Sequence, residues 1–179
     1  AAPPPSHTGH GRARAGVQRL RFGDIFGSPV YEGGRVNIIV PADQSLHNWV
    51  AARMPDEVAF GWDDVAVGIE KDGAVIAGAV YHDLQADYGN VQVSFATEGP
   101  GWATRKSVAA LLWPPFKELG CQRVTALIRK KNRASRTLVE KLGFRYEGCV
   151  WRGYGNDHMT IYGLRAADAQ DKWLERFNG

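Results

Sequence analysis

The sequence predicts an α/β fold, and two stretches of the chain with different hydrophobic periods carry that prediction. Residues 65–97 are typical of three β-strands, with a hairpin turn at residues 71–73 and polar–apolar alternation in the third strand. Residues 91–148 follow the order strand, glycine-rich turn, helix, strand, Asn132 and short helix. Strands that alternate with helices in this way are typical of a sheet covered by helices.

The longest predicted helix covers residues 104–120 and contains two prolines. Gly120 would end the helix, while Pro114 and Pro115 should kink or reset it near Leu111, because proline has no N–H and crowds the preceding turn. The remaining predicted elements are strand-like segments at 17–22 and 36–40, a helix at 45–53, a buried strand at 122–128, a helix at 133–142 and two last strands at 146–152 and 159–164.

Size, composition and cysteine usage bound the class of protein. With 179 residues, 44% of them hydrophobic, the chain can form one well-packed domain but not two comfortable ones. We therefore expect a Pro/Gly/Arg-rich arm or tail over residues 1–16 and a single domain over residues 17–179. Cys121 and Cys149 make no disulfide framework and no metal cluster, so a reducing cytoplasm is the expected location. No apolar run approaches the roughly 20 residues of a membrane span.

The glycine-rich turn at residues 99–101 is a candidate phosphate site. It lies between a predicted strand and a predicted helix, and the first turn of a helix carries N–H groups without intrahelical partners. Basic residues follow at 105–106, and a second basic cluster lies at 129–131. Cations at helix starts oppose the helix dipole, which favours an anionic partner there. An ordinary turn and solvated surface charge remain the alternative interpretation.

Two motifs in this region resemble those of the GCN5-related N-acetyltransferase (GNAT) superfamily, in particular its prophage-type and ribosomal-protein acetyltransferase branch. The family's phosphate-loop pattern, Gln/Arg-x-x-Gly-x-Gly/Ala, aligns with residues 98–103, where Gly101 and Ala103 match and Glu98 departs. The second signature begins at Asn132 and continues with Ser135, Glu140, Lys141, Gly143 and Phe144. The resemblance covers residues 65–164.

The resemblance implies both a fold and a cofactor. The implied fold is a mixed, mostly antiparallel sheet of six or seven strands with helices on both faces, in which the fourth and fifth strands splay apart. The implied cofactor is acetyl-CoA. The implied cofactor-binding residues are Phe95, Ala96 and Thr97 through the backbone of the fourth strand, Gly101, Trp102, Ala103, Thr104 and Arg105 around the pyrophosphate, and Asn132 and Ser135 along the pantetheine.

The general acid and base are less clearly marked. Many members of the family have a tyrosine where this chain has Val139. Three hydroxyls are candidate acids, namely Tyr162, Ser135 and Tyr154, although the thiolate can also leave without help. The candidate bases are Glu98, Glu147, Asp157, His158, His82 and Asp83, for each of which solvated surface charge is the alternative. We select Glu98, Tyr162 and Ser135 as the candidate catalytic residues. Cys121 and Cys149 are interpreted as packing residues.

The predicted function is acetyl-CoA-dependent N-acetylation of an amine by direct transfer in a ternary complex, because no nucleophile stands out. The acceptor is a small-molecule or protein amine, and we expect neither a membrane nor a nucleic-acid partner. A homodimer, or docking of a partner through residues 1–16, is compatible with the sequence. The alternative is a non-catalytic GNAT-fold binding or assembly protein, favoured by Glu98, Val139 and the N-terminal arm. A nucleic-acid-modifying enzyme is a third hypothesis, which rests only on the sequence pI of about 9.0.

Overall fold

A computed structural model describes residues 36–175 of the protein. The predicted arm at 1–16 and the strand-like segment at 17–22 lie outside the described residues. Within them, none of the helices is long and apolar enough to cross a membrane, and no group of three or more His, Cys, Asp or Glu side chains is arranged to hold a metal ion.

A seven-stranded sheet organises the described part of the chain. Its strands lie in the order β1-β2-β3-β4-β5-β7-β6, and every neighbouring pair is antiparallel except β4 and β5. The predicted mixed, mostly antiparallel α/β fold is therefore confirmed. The elements are β1 Val36–Ile39, α1 Ser45–Ala51, β2 Val65–Lys71, β3 Ala74–Gln85, β4 Asn90–Thr97, α2 Arg105–Trp113, β5 Arg123–Arg129, α3 Arg133–Leu142, β6 Arg145–Tyr154, β7 Asp157–Arg165 and α4 Ala166–Ala169.

The parallel strands β4 and β5 separate after a short paired stretch. Residues 90–92 pair with residues 123–125, and the pairing ends at Gln92 and Thr125. Strand β4 nevertheless continues to Thr97, where it stays paired with β3, and β5 continues to Arg129, where it stays paired with β7. The sheet is thus split along half of these two strands, as predicted.

Helices cover both faces of the sheet. On one face, which we call the α2–α3 face, α2 and α3 bury the larger core, with Val67, Tyr81, Val91 and Val124 from the strands. On the opposite face, which we call the α1 face, helix α1 buries Leu46 and Val50 against a smaller set that includes Ala66, Val80 and Ala96. Successive strand residues point to opposite faces, so the same strands supply both cores.

Helix α1 lies close to the sheet because two glycines face it. Gly68 of β2 and Gly78 of β3 are directly paired. A Cβ on Gly68 would lie 3.0 Å from Leu46 Cδ1, and a Cβ on Gly78 would lie 2.9 Å from Val50 Cγ2. Side chains at these positions would push the helix outward, so the two glycines set the height of α1 above the strands.

The two prolines end helix α2 differently from the sequence-based expectation. The α-helix runs to Trp113 and continues as a π-helical turn over Pro114–Glu118, rather than breaking near Leu111. Proline at 115 removes the N–H that would pair with the Leu111 carbonyl. The buried Tyr81 hydroxyl of β3 donates to that carbonyl instead, at 2.5 Å. A side chain from the sheet therefore replaces the missing backbone bond.

Candidate active site

A cleft opens where β4 and β5 separate. Its cavity of about 150 Å³ is lined by β4, β5, α3 and the loop that follows α1, together with Tyr154 at the end of β6. The polar side chains on its wall are Asp56, Ser94, Arg129, Asn132, Ser135 and Tyr154. Most of the rest of the wall is apolar, as in ligand-binding clefts generally.

The glycine-rich loop after β4 leads directly into helix α2. Gly101 adopts a φ of +96°, which favours glycine, and a Cβ there would meet only Lys71 Nζ, at 3.8 Å. Thr104 caps α2, since its Oγ1 accepts a hydrogen bond of 3.1 Å from the Ser107 N–H. An open glycine face beside an ammonium and a helix N-terminus suits a phosphate group. The residues present therefore fit a phosphate-bearing cofactor.

Packing holds this loop in place. The Trp102 side chain is buried in the larger core, and its ring lies 5.3 Å from that of Phe95 on β4. Glu98, at the start of the loop, pairs with Arg53 at 2.8 Å on an exposed surface. Glu98 does not line the cleft, and its carboxylate is held by a cation rather than directed at the split.

Asn132 and Ser135 lie together on the cleft wall at the start of α3. Asn132 Oδ1 accepts a hydrogen bond of 3.0 Å from the Ser135 N–H, so Asn132 caps the helix as the sequence suggested. The side-chain oxygen is used in that cap, which leaves the amide Nδ2 to donate towards a ligand. Both side chains predicted to follow the pantetheine thus share one wall.

Tyr154, the last residue of β6, also lines the cleft. Its hydroxyl donates to the Leu127 carbonyl at 3.2 Å, and the Arg129 guanidinium lies 4.8 Å from its ring centroid. Burial and the nearby Asp56 raise the pKa of Tyr154, so the phenol stays protonated at neutral pH. Arg129 in turn donates two hydrogen bonds to Asp56, which hold the pKa of that carboxyl below its usual value.

The structure does not bring Tyr162 to the cleft. Tyr162 is buried in the larger core, its hydroxyl donates to Glu140 Oε1 at 2.9 Å, and it accepts from Arg136 Nε at 3.1 Å. Val139, at the position where the family often has tyrosine, is buried and lines the cleft. Among the three predicted acids, Ser135 and Tyr154 reach the cleft.

Three of the candidate bases are held away from the cleft wall. Glu147 accepts from Arg123 at 2.7 Å. Asp157 accepts from the backbone N–H groups of Lys131 and His158. The His158 ring lies 4.8 Å from that of Trp151. None of the three lines the cleft.

His82 and Asp83 reach the cleft through another residue. Asp83 contacts His82, and His82 contacts Ser94, which does line the cleft. The cysteines fit the packing interpretation, since Cys121 is buried in the larger core and Cys149 is half-buried on β6.

Ser94, Asp56 and Lys71 were not found from the sequence. Ser94 is one polar residue in an alternating strand, Asp56 lies in a loop without a motif, and Lys71 was interpreted only as part of a hairpin turn. Their roles depend on which distant segments meet them. The split between β4 and β5, which the resemblance implied, was the one signal that could have directed attention to Ser94.

A strand–glycine loop–helix unit beside a split sheet defines a nucleotide-cofactor-binding α/β protein, and the comparisons identify the family. The profile of the acetyltransferase (GNAT) domain matches residues 31–145, more than half of the chain. The chain therefore belongs to the GNAT acetyltransferases, acyltransferases that use acetyl-CoA. No curated protein sequence matches it.

Solved structures of acetyltransferases share the fold. A spermidine/spermine N-acetyltransferase, SpeG from Vibrio cholerae, is 11% identical with a TM-score of 0.64, over 76% of this chain and 97% of that one. A ribosomal-protein-S5-alanine acetyltransferase from Vibrio fischeri is 13% identical with a TM-score of 0.58, over 80% and 97%. The putative acetyltransferase yncA from Salmonella typhimurium, solved with acetyl-CoA, is 17% identical with a TM-score of 0.56, over 74% and 95%.

Proposed function

We propose that this protein transfers the acetyl group of acetyl-CoA directly to an amine while both substrates are bound. The observation that carries the proposal is the cleft through the split sheet, which has polar groups on both faces. Asn132 and Ser135 lie on its α2–α3 side, and Ser94 comes from the α1 side. Two substrates that enter from opposite faces would meet between β4 and β5, where direct transfer needs only their alignment.

The binding roles follow from the geometry of the α2–α3 face. The loop from Gly101 to Arg105, with Lys71 beside it, would hold the pyrophosphate. Asn132 Nδ2 would donate to a pantetheine carbonyl, and the backbone of residues 95–97 would hold the pantetheine and polarise the acyl carbonyl. Acetyl-CoA supplies an activated acetyl thioester to this site. The site residues supply its orientation.

Tyr154 is our proposed acid for the departing thiolate. It lies on the cleft wall, and its phenol is protonated at neutral pH, so it holds a proton that the thiolate can take once the hydrogen bond to the Leu127 carbonyl is released. Ser135 lies on the same wall but carries a much less acidic hydroxyl, so we assign it a positioning role.

The acceptor in this proposal is a small-molecule or protein amine. Support comes from the structural neighbours, which include a spermidine/spermine N-acetyltransferase and a ribosomal-protein-S5-alanine acetyltransferase. A cytoplasmic location and a homodimer belong to the same proposal. Strand β6 lies at the sheet edge and exposes Tyr146 and Trp151, which suits a second chain.

Calorimetry and steady-state kinetics test the function together. Calorimetry should detect binding of acetyl-CoA, and a panel of polyamines and of peptides with free α-amines should contain at least one that releases coenzyme A and gains 42 Da per acetyl group. Initial velocities at several concentrations of both substrates should give intersecting lines. Parallel lines would indicate an acetyl-enzyme and overturn direct transfer. Binding of acetyl-CoA without turnover on any amine would favour the non-catalytic alternative.

A further inference from the structure

Three side chains on the α1 face form a hydrogen-bonded chain that ends in the cleft. His82 Nε2 lies 3.0 Å from Ser94 Oγ, and His82 Nδ1 lies 2.8 Å from Asp83 Oδ2. His82 belongs to β3 and Ser94 to β4, where Ser94 pairs with Val80. His82 is therefore diagonal to Ser94 on one face of the antiparallel pair, within reach of a long side chain.

The backbone is distorted at the point where Asp83 meets His82. Neighbouring residues of a regular strand point to opposite faces, so their side chains do not meet. Here the register of β3 against β4 shifts between His82 and Gln85, and Asp83 adopts a φ of +52°. This bulge turns the Asp83 carboxylate towards the ring of its own neighbour. Bulges that re-aim a side chain are found next to active sites, and a left-handed non-glycine residue has an energetic cost.

The partners determine how the neutral ring carries its proton. An ionised carboxylate only accepts hydrogen bonds, so Nδ1 of His82 carries the hydrogen and donates it to Asp83. Nε2 then has a free lone pair, to which the Ser94 hydroxyl donates. The hydrogen bonds among these three side chains therefore all donate in one direction, from Ser94 in the cleft to His82 and on to Asp83. Asp83 is placed to stabilise an imidazolium.

The solvent exposure of the three hydrogen-bonded side chains increases from His82 to Asp83, away from the cleft. Ser94 lies two residues beyond Gln92, the last residue of β4 that pairs with β5, and it lines the cleft. The His82 side chain is 19% exposed and is covered by the Phe60 ring at 5.4 Å. Asp83 is 63% exposed, so the end of these three hydrogen-bonded side chains that lies away from the cleft is in solvent.

We propose that Ser94, His82 and Asp83 form a relay that removes the proton from a strongly basic alkylammonium acceptor. This inference rests on the proposed function. Ser94 would touch the acceptor nitrogen, His82 would act through Ser94, and Asp83 would orient His82. The relay also names a substrate class, because primary alkylamines have a pKa of about 10 and are almost entirely protonated at neutral pH.

The protons and electron pairs balance as follows. The ammonium passes one proton to Ser94 Oγ as Ser94 passes its own to His82 Nε2. After product release the imidazolium returns this Nε2 proton through Ser94 to water in the cleft, which restores the tautomer with hydrogen on Nδ1. The freed nitrogen lone pair forms the new C–N bond to the acetyl carbonyl carbon. The C–S bond breaks, and the sulfur takes the second proton from nitrogen, through Tyr154 in our proposal. The net reaction yields an amide, a thiol and one proton in solution.

Two acceptors of different basicity separate this relay from a structural role. With an alkylamine acceptor, Ser94→Ala and His82→Gln should each lower kcat by about 100-fold, the low end of general base catalysis. With an arylamine acceptor of matched shape, which is already neutral at pH 7, the same variants should stay within about 3-fold of wild type. Ser94→Thr, which keeps the hydroxyl, should restore most of the alkylamine activity.

The controls address folding and cofactor binding. Asp87→Asn, an exposed carboxylate on the turn after β3, matches Asp83→Asn and should leave both activities unchanged. The affinity of each relay variant for coenzyme A should equal that of wild type by calorimetry. Equal losses with both amines would overturn the relay while leaving the acetyltransferase activity of the wild type in place.

A spectroscopic measurement tests the arrangement without any turnover. Long-range ¹H–¹⁵N correlation spectra should show His82 with its hydrogen on Nδ1, and Asp83→Asn should change that tautomer population. A hydrogen on Nε2 in the wild type would contradict the direction of the relay. An acetyl group found on Ser94 by mass spectrometry would also overturn the proposal, since it would make Ser94 a nucleophile.

Discussion

The two faces of the sheet at the split differ in how their polar groups are assembled. On the α2–α3 face, most of the groups come from two continuous segments, the loop at 98–105 and the start of α3 at 132–135, and Lys71 is added from the end of β2. On the α1 face, they come from the loop after α1, from β3, β4 and β5 and from the end of β6, and they meet only because of the sheet register.

This difference shows which features of the site depend only on residues that are close together in the sequence. A glycine with positive φ, a threonine cap and an asparagine cap act over a few residues, so the α2–α3 face can be recognised as a sequence motif. A contact such as that between His82 and Ser94 depends on strand pairing and on a bulge. The motifs on the α2–α3 face can therefore be recognised in the sequence, whereas Lys71 beside the glycine loop and the contacts on the α1 face cannot.

The largest expected effect comes from a charge placed in the glycine loop. Gly101→Glu should reduce affinity for coenzyme A by more than about 100-fold in calorimetry, because its carboxylate would lie beside Lys71 Nζ where a phosphate is expected. Gly73→Glu is the matched control, since Gly73 also has positive φ and no neighbour within 4 Å of a Cβ. Unchanged affinity in Gly101→Glu would mean that the phosphates bind elsewhere.

The next effect compares two tyrosines. Tyr154→Phe should lower kcat by about 100-fold with little change in KM for acetyl-CoA, as expected for loss of a general acid. Tyr162→Phe should instead lower the free energy of unfolding by about 1–2 kcal/mol and leave kcat near wild type, because it removes the buried hydroxyl between Arg136 and Glu140. The opposite pattern would return the acid role to Tyr162.

A third variant pair separates capping from cofactor binding at Asn132. Asn132→Asp keeps an oxygen for the Ser135 N–H but removes the amide donor, so the melting temperature should hold while coenzyme A binding weakens by about 1–2 kcal/mol. Asn132→Ala should lower both the melting temperature and the affinity for coenzyme A. If Asn132→Asp binds coenzyme A as wild type does, the residue is only a cap.

The smallest expected effect on catalysis is at Val139 on the α2–α3 face, where many members of the family have a tyrosine. Val139→Tyr should change turnover by less than about 100-fold between pH 6 and 9, since alignment of the substrates carries most of the rate. It should cost about 1–3 kcal/mol of stability, because Val139 is buried on α3 and a ring would overpack it. Thr137→Tyr, on the exposed side of the same helix, is the stability control. A hundredfold gain would indicate that the chain lacks an acid that it needs.

The sequence predicted the sheet, its split and the family, because those depend on periodicity and on two short motifs. The sequence predicted a kink or reset near Leu111, where α2 instead continues to Trp113 and ends in a π-helical turn, since the Tyr81 hydroxyl that supports this end comes from a distant strand. Among the acids it chose Tyr162 over Tyr154. The position of a residue in a strand predicts which face of the sheet its side chain lies on, but not which residues it contacts. The Tyr162 hydroxyl is hydrogen-bonded to Glu140 and Arg136 and is not available to the cleft.

The bond from Tyr81 to the Leu111 carbonyl also fixes helix α2 lengthwise. A slide of the helix by one residue would move that carbonyl by about 1.5 Å and break a buried bond of 2.5 Å. The same helix begins at Arg105 and is capped by Thr104, next to the glycine loop. Tyr81 thus fixes the C-terminal part of α2 to the sheet. Because an α-helix is stiff, the same contact also fixes the N-terminus of α2 relative to the split between β4 and β5.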